Sequence, residues 1–247
     1  MEVKNHYSFE LSKSIERMNR YLSEAEDTAS VEEIPSRDEF SYDNGYYVQC
    51  CAVFIDMRHS SELTDEMSKK RAARIYRSFI SEMTAVLQSF QNCKEINFAG
   101  DCVSGIFDAT KEDDIYNVFM AVAKLNSQVM LLNNRLKDYN FPEISVGIGV
   151  NYGQALVVMS GYKGSDLKDL IWTGDVVNEA SHACDKAGKD GNLCIIATKE
   201  FYDKLGSMSC KRVDGQWVPC KSFLEELGQD YQGDFWFVEV ERWIDSH

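Results

Sequence analysis

The alternation of apolar and polar residues predicts strands and helices in a regular order along the chain. Residues 46–57, YYVQCCAVFIDM, are rich in β-branched and aromatic side chains, which is typical of a buried strand. Residues 64–90 and 112–137 repeat apolar side chains at helical spacing, which predicts two amphipathic helices. Hairpins are expected at 94–107, bent at Ala99-Gly100-Asp101, and at 143–161, bent at Asn151-Tyr152-Gly153.

The C-terminal part of the chain adds a third helix and further strands. A helix is expected to begin near Val176, followed by a strand at 193–198, a short helix at 199–205 and a final aromatic strand, DFWFVEVERW. The order strand, helix, hairpin, helix, hairpin, helix, strand predicts an α/β (α+β) domain. Its sheet is expected to be mostly antiparallel, with helices packed on one face.

The N-terminal segment predicts an appendage rather than a second domain. Residues 8–30 form an amphipathic pattern, and a polar stretch with Pro35 and the turn pair Asn44-Gly45 follows. Such a segment is too short to own a core. We therefore predict an N-terminal helix and ordered arm over residues 1–45 and one domain over residues 46–247.

Composition and charge narrow the possible partners. With 44% hydrophobic residues among 247, the chain has enough apolar material for a core. Lys and Arg number 26 against 40 Asp and Glu, a net charge of −14, which argues against nucleic-acid binding. The sequence shows neither an apolar run of membrane-spanning length nor the apolar core of a secretory signal, so we expect a cytoplasmic protein that does not bind membranes.

Eight cysteines are present, and none of them forms a CxxC pair. In a cytoplasmic protein such residues are expected to be buried, reduced thiols that pack as small apolar side chains. A zinc site or a disulfide framework is the alternative.

Two aspartates occupy unusual positions in this pattern. Asp56 ends an apolar strand, where an unpaired carboxylate is costly to bury and needs a cation. Asp101 lies at a hairpin bend after Gly100. If the two strands are neighbours, both carboxylates converge on a point that suits Mg²⁺ or Mn²⁺ bridging to substrate phosphates. The alternative interpretation makes Asp56 a helix cap and Asp101 an ordinary turn residue.

Four segments together resemble the class III nucleotidyl cyclase catalytic domain. These segments are VFIDMRHSSELT, INFAGDCVSGIF, ISVGIGVNYGQALV and WTGDVVNEASHACDKA, which follow the family's order and spacing over about residues 46–205. The resemblance implies a ferredoxin-like core and a homodimer with active sites at the subunit interface. It also implies two Mn²⁺ or Mg²⁺ ions per active site, held by Asp56, Asp101 and the backbone carbonyl of Met57.

The implied reaction is attack of a ribose 3′-oxygen on the α-phosphorus of a nucleoside triphosphate, with release of diphosphate. By resemblance, Asn178 stabilises the transition state, and His182 stands where the family has an arginine; Arg58 is the alternative source of that positive charge. The lysine expected in the last hairpin is replaced by Gln232. The peptide N–H groups of a short run of residues are expected to cradle the β- and γ-phosphates: Arg58, His59, Ser60 and Ser61.

The base-reading positions depart from both purine patterns of the family. Asn97 occupies the first position and Ile171 the second, although a shift in the loop would bring Asp169 there instead. An asparagine amide both donates and accepts, so it suits uracil or cytosine. An aromatic residue is expected to fill the space that a purine would need: Phe54, Tyr46 or Tyr47. Lys163 and Lys168 lie in a loop that could approach the ligand, although loop lysines are usually only exposed.

A narrower resemblance points to a pyrimidine substrate. The stretch IPSRDEFSYDNGYYVQCCAVFIDMRHSS resembles the pyrimidine cyclases of bacterial antiphage Pycsar systems. This implies synthesis of cyclic UMP from UTP, or of cyclic CMP from CTP, as a signal read by a separate effector. The alternatives are an adenylate cyclase with an atypical base pocket and a non-catalytic module that senses nucleotides.

Overall fold

A long antiparallel strand pair forms the centre of the molecule. The computed structural model describes residues 6, 8–23, 27–161 and 167–247. Its strands are β1 (Asp27–Val31), β2 (Asn44–Met57), β3 (Cys93–Ala99), β4 (Cys102–Asp108), β5 (Val146–Gly161), β6 (Lys168–Thr173), β7 (Ile195–Ala197), β8 (Ser209–Lys211), β9 (Trp217–Pro219), β10 (Glu225–Leu227) and β11 (Asp230–Gly233). Its α-helices are α1 (Leu11–Ser23), α2 (Ser60–Glu66), α3 (Lys69–Gln88), α4 (Glu112–Asp138), α5 (Asp175–Lys186), α6 (Lys199–Lys204) and α7 (Val238–Ser246).

The main sheet is mostly antiparallel, as the sequence predicts. Within the described ranges nine strands join it, in the order β10-β11-β7-β5-β2-β4-β3, with β1 added beside β2 and β6 beside β5. Only β1–β2 and β5–β7 pair in parallel within these ranges. Strands β8 and β9 form a separate ribbon, closed by a disulfide between Cys210 and Cys220. The expectation of eight reduced thiols is therefore wrong for this pair, which lies ten residues apart in sequence but has its Cα atoms 5.4 Å apart.

Helices cover both faces of the sheet. On one face, Val53 and Ile55 of β2 pack in the same apolar cluster as residues of α3 and α4. On the other face, Val176 and Ala180 of α5 join a cluster with Cys50 of β2. The expected arrangement on one face thus holds for α3 and α4, whereas α5 takes the opposite face. The reason is that the run CCAVFI, residues 50–55, is apolar at successive positions, so both faces of β2 need cover.

Two glycines allow α5 to approach β5 closely. A Cβ atom at Gly149 would lie 2.2 Å from the carbonyl oxygen of Ala180, and one at Gly147 would lie 2.6 Å from that of Ala187, the residue that caps α5. Only glycine fits such contacts. The alternating glycines of VGIGV therefore set the distance between helix and strand.

The hairpin expected at 143–161 is absent, because β5 runs straight through Asn151-Tyr152-Gly153. The Asn151 side chain does not support a turn there. It donates to the carbonyl oxygens of Asp175 and Val176, each 3.3 Å away, and accepts a hydrogen bond from the Thr198 hydroxyl at 2.6 Å. These bonds tie the middle of β5 to α5 and to the start of α6.

The expected C-terminal aromatic strand is also wrong. The last strand, Asp230–Gly233, ends just before DFWFVEVERW, and the chain becomes helical at Val238. Phe235 between them is buried and stacks on Phe119 of α4, with ring centroids 4.7 Å apart. The pattern FVEV alternates like a strand over too few residues to exclude a helix.

The arm packs on the same sheet face as α5. β1 pairs with β2, the backbone N–H of Ile34 donates to Oδ1 of Asp108 at 2.8 Å, and the Phe40 side chain is buried edge-on against Tyr46. A 3-10 turn, Arg37–Glu39, lies between these anchors. α1 precedes the arm and buries none of its residues.

α4 is the one described helix whose length and hydropathy would suit a membrane span, and 61% of its most apolar window is buried inside the fold. Val118, Val122 and Leu125 of this helix belong to the main core cluster. It therefore serves as the core helix of the domain.

Candidate active site

The ends of two neighbouring strands bring the two predicted metal ligands together. Ile55 of β2 lies opposite Val103 of β4, so Asp56 at the end of β2 lies beside the turn that carries Asp101. Burial and the negative charge of Asp101 both raise the pKa of Asp56. The carboxylates are thus close enough to repel each other, although 45 residues separate them in sequence.

The chemistry of this carboxylate pair fits a divalent cation. Oδ2 of Asp101 is buried and has no hydrogen-bond partner among the described residues. Such an oxygen is costly to bury without a partner, and hard cations bind carboxylate oxygens. No cluster of three or more His, Cys, Asp or Glu side chains is present within the described ranges. Within these ranges, backbone carbonyls such as that of Met57 are the further candidate ligands.

The Arg58 side chain binds Asp56 and the end of α5 and does not point into the open site. Its side chain is almost fully buried, and Nη1 donates to Oδ2 of Asp56 at 3.0 Å. Nε donates to the carbonyl oxygen of Ala187 at 2.9 Å, and Nη2 donates to that of Cys184. These carbonyls end α5, where a cation is favoured by the helix dipole. The interpretation of Arg58 as a phosphate clamp or transition-state charge is therefore not supported, because its donors already hold Asp56 and α5.

The predicted phosphate cradle is shorter than expected. The backbone N–H of Arg58 donates to the carbonyl oxygen of Ser145 at 2.8 Å, which removes it from the cradle. The next residue, His59, has a left-handed backbone, with φ of 55°, and its ring Nδ1 lies 3.0 Å from Oε1 of Glu62. The Tyr76 hydroxyl donates to the carbonyl oxygen of Ser60 at 2.9 Å. The candidate cradle therefore consists of His59, which caps α2, and of Ser60 and Ser61 in its first turn.

Asn178 and His182 lie one turn apart on α5, and both are exposed. Nδ1 of His182 is 3.7 Å from Oε1 of Glu179. Within the described part of the chain, no hydrogen bond or ion pair joins either side chain to Asp56 or Asp101. One protomer therefore presents these two residues outward rather than to its own carboxylates.

The sheet face beside Asp56 carries a row of side chains. Asn97 of β3 lies opposite Ser104 of β4, and Ser104 lies opposite Phe54 of β2. Directly opposed residues point to the same face, and Asp56, two residues from Phe54, shares that face. Asn97 and Phe54 are both partly exposed, while Ser104 is 8% exposed. The sequence reasoning missed Ser104, which strand register alone could have found.

The second base-reading candidate lies elsewhere. Ile171 is on β6, opposite Val158 of β5, and is 45% exposed. Asp169, the alternative at this position, is an ion-pair partner of Arg37 from the arm. Lys168 begins β6 and is exposed, whereas Lys163 lies outside the described residues.

This combination of sheet and paired carboxylates defines a nucleotide cyclase catalytic domain. Residues 43–224 match the family described as the adenylate and guanylate cyclase catalytic domain, and the chain belongs to that family. Catalytic domains of this family bind nucleoside triphosphates, depend on divalent metal ions and act as dimers.

Particular relatives narrow the comparison. The chain is 36% identical over 256 residues to a uridylate cyclase of Gulbenkiania mobilis, covering 98% of each chain. It is also 36% identical over 235 residues to a uridylate cyclase of Treponema porcinum, covering 93% of this chain and 79% of that one. Among solved structures, a bacterial light-regulated adenylyl cyclase superposes with a TM-score of 0.63 at 17% identity, covering 96% of this chain and 68% of that one. This last likeness concerns the fold.

Proposed function

We propose that this protein is a pyrimidine nucleotide cyclase that converts UTP, in preference to CTP, into the 3′,5′-cyclic monophosphate and diphosphate. The observation that carries the proposal is the convergence of Asp56 and Asp101, with an unpartnered carboxylate oxygen, beside a row that contains Asn97. The relatives named uridylate cyclase support the choice of base, because they match the chain over nearly its whole length.

Asp56, Asp101 and the backbone carbonyl of Met57 would hold two divalent cations, Mn²⁺ or Mg²⁺. When bound, such ions lower the pKa of the ribose 3′-hydroxyl and neutralise charge on the α-phosphate. In the overall reaction the 3′-oxygen forms a bond to the α-phosphorus, the bond to the diphosphate breaks, and the hydroxyl proton passes to water. The protein's main task is therefore to position the triphosphate and to screen its charge.

The other site residues each contribute to positioning the substrate or to screening its charge. Arg58 orients Asp56 from behind. His59, Ser60 and Ser61, at the start of α2, hold the β- and γ-phosphates. Asn97 faces the base, with Phe54 in the space that a purine would need, whereas Ile171 pairs with Val158 and points to the other face of the sheet. This leaves His182 as the candidate for the transition-state charge.

Asn178 and His182 are proposed to act in the active site of the partner subunit. Both are exposed on α5. A homodimer with active sites at the interface accounts for this exposure, because the second protomer would supply the carboxylates. We retain the division into an arm, 1–45, and a catalytic domain, 46–247, as part of this proposal. We also propose that the protein acts in the cytoplasm and that a separate effector in antiphage defence reads its product.

The test is to incubate the purified protein with each of UTP, CTP, ATP and GTP in the presence of Mn²⁺ and to separate the products by anion exchange. We expect cyclic UMP as the main product. Asp56→Asn should lower the rate by more than about 100-fold, which corresponds to about 2.7 kcal/mol of transition-state stabilisation. Asp113→Asn, at an exposed position of α4, is the control and should leave the rate unchanged.

Two results would contradict the proposal. Faster conversion of ATP than of either pyrimidine triphosphate would indicate an adenylate cyclase. Thermal stabilisation by UTP without release of diphosphate would indicate a nucleotide-sensing module instead.

A further inference from the structure

Arg37 connects two strands that are not neighbours in the sheet. It lies in the 3-10 turn of the arm, and its Nη1 is 3.4 Å from Oε1 of Glu95 on β3. Its Nη2 donates to Oδ1 of Asp169 on β6. In the sheet, β3 is an edge strand beside β4, whereas β6 pairs with β5 on the far side of β2. One guanidinium therefore binds carboxylates from two non-adjacent strands, so the side chains of Glu95 and Asp169 come close together over the sheet.

One partner of Arg37, Glu95, lies two residues from the proposed base-reading position Asn97 and shares its face of the sheet. Residues two apart in a strand share a face and are separated by roughly 7 Å along it. Arg37 is thus placed on the face that carries Asn97, one side-chain position away.

Arg37 also marks the end of the open part of this face. In the row that contains Glu95, Ile106 is 2% exposed and Ala52 is fully covered. In the next row, Asn97 and Phe54 are partly exposed. The open part of this face therefore begins beside Arg37 and ends at the carboxylates of Asp56 and Asp101.

We propose that Arg37 is a specificity-determining residue, and that its guanidinium donates a hydrogen bond to O4 of the bound uracil, the carbonyl oxygen that an amino group replaces in cytosine. This inference rests on the proposed function. Uracil carries two ring carbonyls, whereas cytosine carries one carbonyl and an amino group. A guanidinium only donates, so it favours uracil over cytosine. The arm that carries it also occupies space at this end of the open part of the face, which disfavours a purine.

The Arg37 guanidinium has unused hydrogen-bond donors and is held in position by its neighbours. It has five N–H donors, and its side chain is 56% exposed despite two acidic partners. Oδ1 of Asp169 also accepts from the backbone N–H of Leu170 at 3.0 Å, which orients that carboxylate. The turn is closed by Glu39, whose Oε1 accepts from the Ser36 backbone N–H at 2.8 Å. Arg37 therefore has donors left for a ligand and loses little freedom when it binds one.

The experiment compares kcat/KM for all four triphosphates with Mn²⁺ in the wild type, Arg37→Gln and Arg37→Lys. For Arg37→Gln we expect kcat/KM with UTP to fall tenfold or more, mainly through KM, while kcat/KM with CTP changes less than threefold. Arg37→Lys keeps the positive charge but not the planar pair of N–H donors. Its ratio of kcat/KM with UTP to kcat/KM with CTP should therefore lie between those of the wild type and Arg37→Gln.

The matched control is Lys111→Gln. This change removes the ion pair between Lys111 and Glu33, which joins the arm to the start of α4 at 3.3 Å and involves two exposed side chains. The UTP to CTP ratio should stay at the wild-type value. Thermal unfolding of every variant shows whether the arm remains docked.

The outcomes separate the inference from the proposed function. A wild-type protein that prefers UTP, together with an unchanged UTP to CTP ratio in Arg37→Gln, would overturn the inference alone. Equal losses with UTP and CTP, accompanied by a lower Tm, would show that Arg37 only braces the arm, and would also overturn it. A wild-type protein that does not prefer a pyrimidine would overturn both.

Discussion

Single side chains decide the electrostatics of the carboxylate pair. Asp56 has a buried arginine behind it and a second carboxylate in front. Arg58 lowers the pKa of Asp56, but burial and Asp101 outweigh it, so the net shift is upward. In the absence of a cation, ionised Asp56 is therefore a cost to the folded state. This cost is present at pH values above its raised pKa and disappears as the pH falls below its pKa in the unfolded chain.

The first prediction concerns this cost. Asp101→Asn removes the repelling charge, so the metal-free variant should be more stable than the metal-free wild type at pH 7.5. The difference should shrink toward zero near pH 3, where Asp56 is protonated in both the folded and the unfolded state. Thermal unfolding in the presence of a chelator measures it across the pH range. A difference that grows as the pH falls would contradict the assignment.

Metal binding should reverse the order of the two proteins. Mn²⁺ at a hundred times its Kd should stabilise the wild type by about 2.7 kcal/mol. Asp101→Asn should lose most of this stabilisation, because the buried Oδ2 is the oxygen that lacks a partner. Asp113→Asn, at an exposed position of α4, is the control and should retain the full shift. An equal shift in Asp101→Asn would remove Asp101 from the metal site.

The pKa and the reactivity of the cysteine thiols also depend on their surroundings. Burial raises the pKa to about 12 for five of the cysteines, namely Cys50, Cys93, Cys102, Cys184 and Cys194, and well above the usual value for Cys51. These thiols stay protonated at pH 8, and the thiolate is the reactive form. Ellman's reagent should therefore react slowly with the native protein. After unfolding it should detect six thiols, or eight after prior reduction of Cys210–Cys220. Eight thiols without reduction would show that this disulfide is absent.

At the scale of elements, α5 links the carboxylates to the exposed catalytic candidates. Its C-terminal carbonyls accept from Arg58, and one turn of its outer surface carries Asn178 and His182. The helix can take this position only because β5 has glycines beneath it. A shift of α5 would disturb Asp56 as well as the packing of the sheet.

Substitution of one glycine tests this link. Gly149→Ala places a Cβ 2.2 Å from a backbone oxygen of α5 and should lower the free energy of unfolding by about 1–3 kcal/mol. For Gly153→Ala, on the same strand, the nearest atom to the new Cβ is Cβ of Val176 at 3.3 Å, so this change should cost less than about 1 kcal/mol. Urea unfolding gives both values. Similar values for the two variants would contradict the close approach.

At the scale of the whole molecule, the proposed active site needs two chains. Each protomer would supply carboxylates to one site and Asn178 with His182 to the other. In a twofold dimer, two inactive variants can then complement each other.

Mixing Asp56→Asn with Asn178→Ala tests this arrangement. Each variant alone should be inactive. After subunit exchange, about half of the dimers are mixed, and each mixed dimer has one intact site, so about a quarter of the wild-type rate should return. Activity that stays at the level of the separate variants would place all these residues in one protomer's site.

The sequence by itself was enough to single out the two carboxylates, Asp56 and Asp101, and to predict the strands that carry them. Asp56 ends an apolar run and Asp101 follows a glycine in a hairpin, and both signals are local, since they depend on neighbouring residues. The same is true of α3, α4 and the short α6. Local patterns failed where two structures suit them equally: Asn151-Tyr152-Gly153 lies inside a strand, and Val238–Ser246 is a helix.

Only the tertiary structure decided which side chains connect segments that are distant in sequence. The donors of Arg58 are taken up by carbonyls at the end of α5, and Arg37 reaches two strands that lie 58 and 132 residues away in sequence. The opposite-face position of α5 and the row from Asn97 to Phe54 likewise depend on strand register. Periodicity along a chain shows which side of an element is buried. It does not show which distant segment covers that side, because that choice is made by the packing of all the elements together.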